Sequence, residues 1–165
     1  MAVTIAGVST LGVRLSYGIE TTAGQKPATF TLLPRVNQIS GIELDTETID
    51  ASALEDSTER SIAGRQSTGG DWSFDFNLTT ETKAIYKTML TAAKTALASG
   101  KRTWFQIDIP NLDEAFFVVA QPGEKVPLPD VGQNELLVAT ISCTIDEYKE
   151  MDTKVEPTDS SSSTT

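Results

Sequence analysis

The sequence predicts a mostly β, α+β fold: a β-sandwich with one flanking α-helix at about 80–99, a long assembly loop at about 45–70 and a flexible C-terminal tail. Three observations carry this expectation. Apolar and polar residues alternate with period two in several short segments, a single stretch has helical spacing, and a polar run from Asp45 to Gly70 is too long for an ordinary connection. At 165 residues the chain most simply makes one domain. The domain is expected at 1–148 with the loop inserted, followed by a disordered Ser/Thr-rich tail at 149–165.

Each element has its own warrant. The first strand, 11–19, places Leu11, Val13, Leu15, Tyr17 and Ile19 on one face, alternating with Gly12, Arg14, Ser16 and Gly18. The turn-rich TTAGQKPA leads to shorter strands at 30–33 and 37–44, where Gly41 marks a bulge or bend. After the long loop, Trp72, Phe74, Phe76 and Leu78 share a face, and three aromatics on one strand face predict packing rather than a stacking platform for bases.

Thr79 or Thr80 caps the helix, Glu81 suits the positive end of its dipole, and Gly100 follows its last turn. Ile85, Met89, Ala93, Ala96 and Leu97 form its expected buried stripe, with Lys83, Lys87 and Lys94 off it. Strands at 103–109 (Phe105, Ile107 and Ile109 inward), 115–120 and 136–146 close the fold. The turn NLDE makes a hairpin of the first two. In the last strand Leu137, Ala139, Ile141, Cys143 and Ile145 share a face, and Leu136 and Val138 predict that the opposite face is covered too. QPGEKVPLPDVGQNE reads as a proline-rich loop and MDTKVEPTDSSSSTT as a mobile tail.

Composition narrows the chemistry. There is no histidine, which removes the usual general base, nucleophile activator and metal ligand together. The single Cys143 forms no internal disulfide and reads as a small core hydrophobe. Asp50, Glu55 and Asp56 lack the spacing of a calcium loop, and IAGRQSTGGDW lacks the pattern of a phosphate-binding loop. No enzyme, cofactor or metal site is expected. The N-terminus lacks the basic start and apolar run of a signal peptide, and no stretch is long enough to span a membrane.

Charge points to self-association. The net charge is −10, yet residues 41–60 carry seven acids against Arg60 alone, whereas 61–102 carry six bases against three acids. Complementary regions let copies of one chain pair, while the overall sign disfavours adhesive contact with phosphates. Inside the long loop, Ile49, Leu54 and Ile62 are too few to offset the entropy of ordering it, at roughly 1–2 kcal/mol per residue. A partner surface would supply the missing burial.

The chain also resembles a known family. YGIETTAGQKP (17–27), TIDASALED (48–56) and the I-x-G-x-x-x-x-G-G stretch from Ile62 to Gly70, in that order and spacing, look like major tail tube proteins of long flexible-tailed bacteriophages and prophages. The likeness extends to about residue 146. It implies a structural virion protein that forms homo-hexameric rings stacked into a hollow tail tube, assembled in the host bacterial cytoplasm. DNA would pass through without sticking, a tape-measure protein would fill the lumen, and tail-tip and tail-terminator proteins would close the ends. The segment 46–69 would bridge neighbouring subunits or rings, with Ile49, Leu54 and Ile62 as buried anchors and Arg60 and Arg65 pairing with acids of the next copy. Two alternatives stand beside this: an inner-tube subunit of a contractile tail or injection system, and a β-sandwich module that binds a host surface.

Overall fold

In the computed structural model, which describes residues 7–159, ten elements follow one another. They are β1 (Arg14–Ile19), β2 (Thr31–Leu33), β3 (Val36–Ile39), β4 (Asp45–Asp50), β5 (Ser61–Ser67), β6 (Asp71–Asn77), α1 (Thr80–Ala98), β7 (Thr103–Asp108), β8 (Glu114–Pro122) and β9 (Val138–Thr153). Seven strands form one antiparallel sheet in the order β2-β1-β7-β8-β9-β6-β3, and β4 and β5 form a separate two-stranded ribbon. The expected β-sandwich with one helix is therefore the observed architecture.

Two features roll the large sheet into layers. Its terminal strands, β2 and β3, are joined by Pro34 and Arg35 alone, so the two ends of the sheet must approach each other. Arg35 takes a left-handed conformation (φ 59°) to make this turn. The long β9 pairs through 138–144 with β6 and through 143–153 with β8, passing from one layer to the other. Its bend is produced where the β8 register slips twice, between Phe117 and Val118 and between Val119 and Ala120, with Glu150 at φ 61° beside the first slip.

The interior is aromatic. Trp72, Phe74 and Phe76 of β6 point inward as their alternation predicts, meeting Phe105, Leu15, Val118 and Ile141. Helix α1 packs across this core. Thr79 accepts from the Thr82 backbone N–H, and the Thr82 hydroxyl accepts from the Thr79 N–H, a reciprocal cap. The buried face is rotated from the expected stripe: Tyr86, Met89, Leu90, Ala93 and Ala96 are inside, while Leu97 is 58% exposed and Ile85 half-buried. Tyr86 causes the rotation, because its ring stacks on Phe76 at 3.7 Å and its hydroxyl donates to Pro34 O at 2.9 Å. A side chain that both stacks and satisfies its polar tip takes the inward position ahead of a plain aliphatic.

Strands β1, β7 and β8 are covered on both faces. Their outer face carries a second cluster of Phe30, Trp104, Ala115, Phe117 and Val119, against which Val155 packs. Gly18 lets the 27–30 segment lie on β1, since a Cβ there would meet Thr29 O at 2.7 Å. The chain after β9 supplies the rest of the cover. Buried Gln106 donates to Val155 O at 2.8 Å and accepts from Val155 N at 2.9 Å. Lys154 and Arg14 both reach Asp108, Glu156 holds Arg14 at 2.9 Å, and Thr158 bridges the free edge of β2.

Several boundaries differ from the sequence reading. The segment expected as tail from 149 continues β9 to Thr153 and then straps the sheet to Thr158, because a buried glutamine and aspartate need the partners it carries; 160–165 lie outside the described residues. Leu11 lies before β1 and is 85% exposed. The outer face of β9's first half is open, with Thr140, Ser142 and Thr144 exposed and Leu136 68% exposed.

Candidate assembly surface

The stretch expected as a loop at 45–70 is an antiparallel hairpin. Asp45 pairs with Ser67, Ile49 lies opposite Ile62, and Asp50 opposite Ser61, with the register shifting between Thr46 and Thr48. The backbone groups of so polar a segment have no core to enter, so cross-strand hydrogen bonds satisfy them instead. Its tip is ordered by local bonds: Ala51 N donates to Arg60 O at 2.8 Å, Arg60 N to Ser52 Oγ at 2.8 Å, and Ala53 N to Asp56 Oδ2 at 2.8 Å. At the base, Gly69 and Gly70 both adopt positive φ (81° and 83°), turning the chain sharply into β6.

The five residues singled out from the sequence all lie on this hairpin and are all exposed. Ile49 is 51%, Ile62 56% and Leu54 fully exposed at the tip. Ile49 and Ile62 are direct cross-strand partners, and Ile49 also lies over Gly64, where an added Cβ would meet it at 3.3 Å. The pair makes one small apolar patch. Arg60 is already paired within its own tip, Nε to Asp56 Oδ1 at 3.3 Å, whereas Arg65 has no ion-pair partner among the described residues. Arg65 stands at the hairpin base with Glu47, facing a cleft whose other wall is Asp146, Glu147, Tyr148 and Glu150 of β9.

The hairpin forms no ladder with the main sheet. A two-stranded ribbon in water is marginal by itself, gaining independent stability only when a third strand or a packed face joins it. The structure thus presents an ordered arm whose apolar residues are held out from the body.

Cys143 is buried on the inner face of β9, and burial pushes its thiol up to about 12. Arg102 Nε meets buried Glu20 at 3.1 Å and its Nη1 meets Asp146 and Glu147 at 2.7 and 3.1 Å, tying β7 to the chain after β1 and to β9. An apolar cleft of about 250 Å³ opens between Ile39, Ile42, Trp72, Ile107, Phe116 and Tyr148. Among the described residues no three His, Cys, Asp or Glu side chains cluster as metal ligands, and no helix is long and apolar enough to cross a membrane.

Sequence reasoning missed Gln106, Asp108 and the strap at 154–158. The available signal was a polar residue at alternate positions of an otherwise apolar strand, TWFQID, which calls for a partner when both faces are buried.

No family model matches this chain, and no curated protein does. Among solved structures it is similar to a chain in the cryo-EM structure of the anti-feeding prophage baseplate, 6-fold symmetrised. The two share 11% identity with a TM-score of 0.54, over 92% of this chain and 96% of the other. Nearly full coverage on both sides means that the whole architecture is shared, not one motif. At this identity the likeness is one of fold.

Proposed function

We propose that this protein is a non-catalytic structural subunit of a phage-tail-type assembly, polymerising as hexameric rings that stack into the tube of a flexible tail. The observation that carries this reading is the hairpin: an ordered arm presenting Ile49, Leu54 and Ile62 to solvent, which gains burial only from a partner. The shared fold with a chain of a six-fold symmetrised prophage baseplate supports the same class. In this reading Arg65 pairs with an acid of the next copy and the net charge of −10 keeps DNA sliding rather than bound. Tape-measure, tail-tip and tail-terminator proteins are its further partners.

A second reading is favoured by the same neighbour: a ring-forming component of a baseplate or of the inner tube of a contractile injection system. Electron microscopy of the purified protein at high concentration distinguishes them, beside a variant lacking 47–69. Long hollow tubes abolished by the deletion support the tail tube. Isolated rings support the baseplate component, and a monodisperse species at all concentrations overturns both in favour of a module binding a host surface.

A further inference from the structure

We propose that the hairpin of one copy docks along the exposed face of α1 in a second copy, with Leu54 entering the hollow beside Leu97. This rests on the assembly reading above and names the surface that receives the arm.

The charges are complementary and available. The hairpin carries six acids against Arg60 and Arg65 between Asp45 and Ser67. Of these acids, Asp45, Glu47, Glu55 and Glu59 have no ion-pair partner among the described residues. Helix α1 carries Lys83, Lys87 and Lys94 against Glu81 alone, all three lysines exposed. At 100° per residue they fall within about 40° of one another around the axis, a single basic stripe. Lys83 and Lys87 are unpaired among the described residues, and Lys94 makes only a solvent-exposed contact to Glu124 at 3.3 Å.

The dimensions agree as well. Lys83 to Lys94 spans about 17 Å at 1.5 Å per residue. The arm from Asp45 to Asp50 spans about 17 Å at 3.4 Å per residue. With the arm laid along the stripe, its tip falls at the C-terminal end of α1. There Leu97, 58% exposed, borders a hollow of about 210 Å³ walled by Arg102, Val119, Ala120, Ile145 and Asp146. Leu54, with Glu55 and Glu59 beside it at the tip, then meets a largely apolar hollow that carries Arg102 and its partner Asp146 on one wall, with Lys94 and Lys101 flanking Leu97 in the chain. Donor and acceptor are different patches of the same chain, so each docked copy offers a fresh arm and a fresh helix, and the contact propagates into a ring or helical polymer.

The test is sedimentation of polymer across protein concentrations for four forms of the full chain. These are the wild type, Lys83→Glu/Lys87→Glu/Lys94→Glu, Glu47→Lys/Glu55→Lys/Glu59→Lys, and the six substitutions combined; thermal melting confirms that each is folded. Each triple variant is expected to raise the half-assembly concentration by about tenfold or more, the combined variant to restore it, and salt to weaken the wild type. Wild-type polymer with unchanged assembly of the lysine variant overturns the docking and leaves the assembly reading intact, as does failure of the combined variant to recover. A wild type that never polymerises overturns both.

Discussion

Replacing Gln106 with alanine removes the clasp that holds the chain after β9 against the sheet. The amide is wholly buried and bonds both backbone groups of Val155, at 2.8 and 2.9 Å, with Ser16 Oγ a third partner at 3.3 Å. Alanine leaves the N–H and C=O of Val155 facing an apolar surface, and an unsatisfied buried group costs about 1–3 kcal/mol. Val155 is only half-buried, so water recovers part of this, and about 2–3 kcal/mol in total is expected. For a domain of this size, that corresponds to a fall in Tm of roughly 5–10 °C. Gln106→Met, close in volume but without hydrogen-bonding groups, separates the polar loss from the cavity and should melt near the alanine variant. Hydrogen exchange reads the mechanism directly: the Val155 amide should exchange roughly 30- to 100-fold faster, with amides of β4 and β5 unchanged. A Tm within about 1 °C of wild type and unaltered protection at Val155 would refute the claim that this contact anchors the strap.

Two further outcomes follow from the buried ionic groups. Arg102→Ala removes the cation beside Glu20, whose side chain is wholly buried, leaving the backbone N–H of residue 102 as its donor at 2.6 Å, and should destabilise the domain by about 3 kcal/mol, read by urea unfolding. Glu20→Gln in the same background should recover part of the loss. Asp108 gives a pH dependence. Burial acts to raise its carboxyl, but hydrogen bonds and charge from Lys154 and Arg14 outweigh it and hold the group below its ordinary range. A carboxylate lowered in the folded state stabilises fully above its unfolded value, about 3.9, and loses that contribution as pH falls through the folded one. Tm should therefore be level in this respect above about pH 5 and drop below about pH 4, and Asp108→Asn should show a smaller drop in melts from pH 7 to 2.5.

Much of the fold was legible because local pattern and burial coincide. The alternation of Trp72, Phe74 and Phe76 and the Thr79 cap act within a few residues of chain, so period and capping chemistry report them directly. The helix face was legible only approximately, since aliphatic spacing alone omits the Phe76 stack and the Pro34 hydrogen bond that draw Tyr86 inward. Of the five candidate assembly residues, Ile49, Leu54 and Ile62 stand out as apolar exceptions within a polar run and Arg60 and Arg65 as its two bases, and the structure places all five on one arm.

The amino-acid sequence by itself determined the helix and most strands of the main sheet, the exclusion of histidine chemistry, the opposed charges of 41–60 and 61–102, and the apolar exceptions within the polar run at 45–70. Those are properties of composition and short-range order. Tertiary structure decided that 45–67 is a paired hairpin rather than a loop, that 149–158 is strand and strap rather than tail, and that Tyr86 and Leu90 rather than Leu97 face the core. A polar segment takes the conformation in which its backbone and charged groups find partners: for 45–67 these lie across its own hairpin, and for 149–158 they lie on strands far away in sequence.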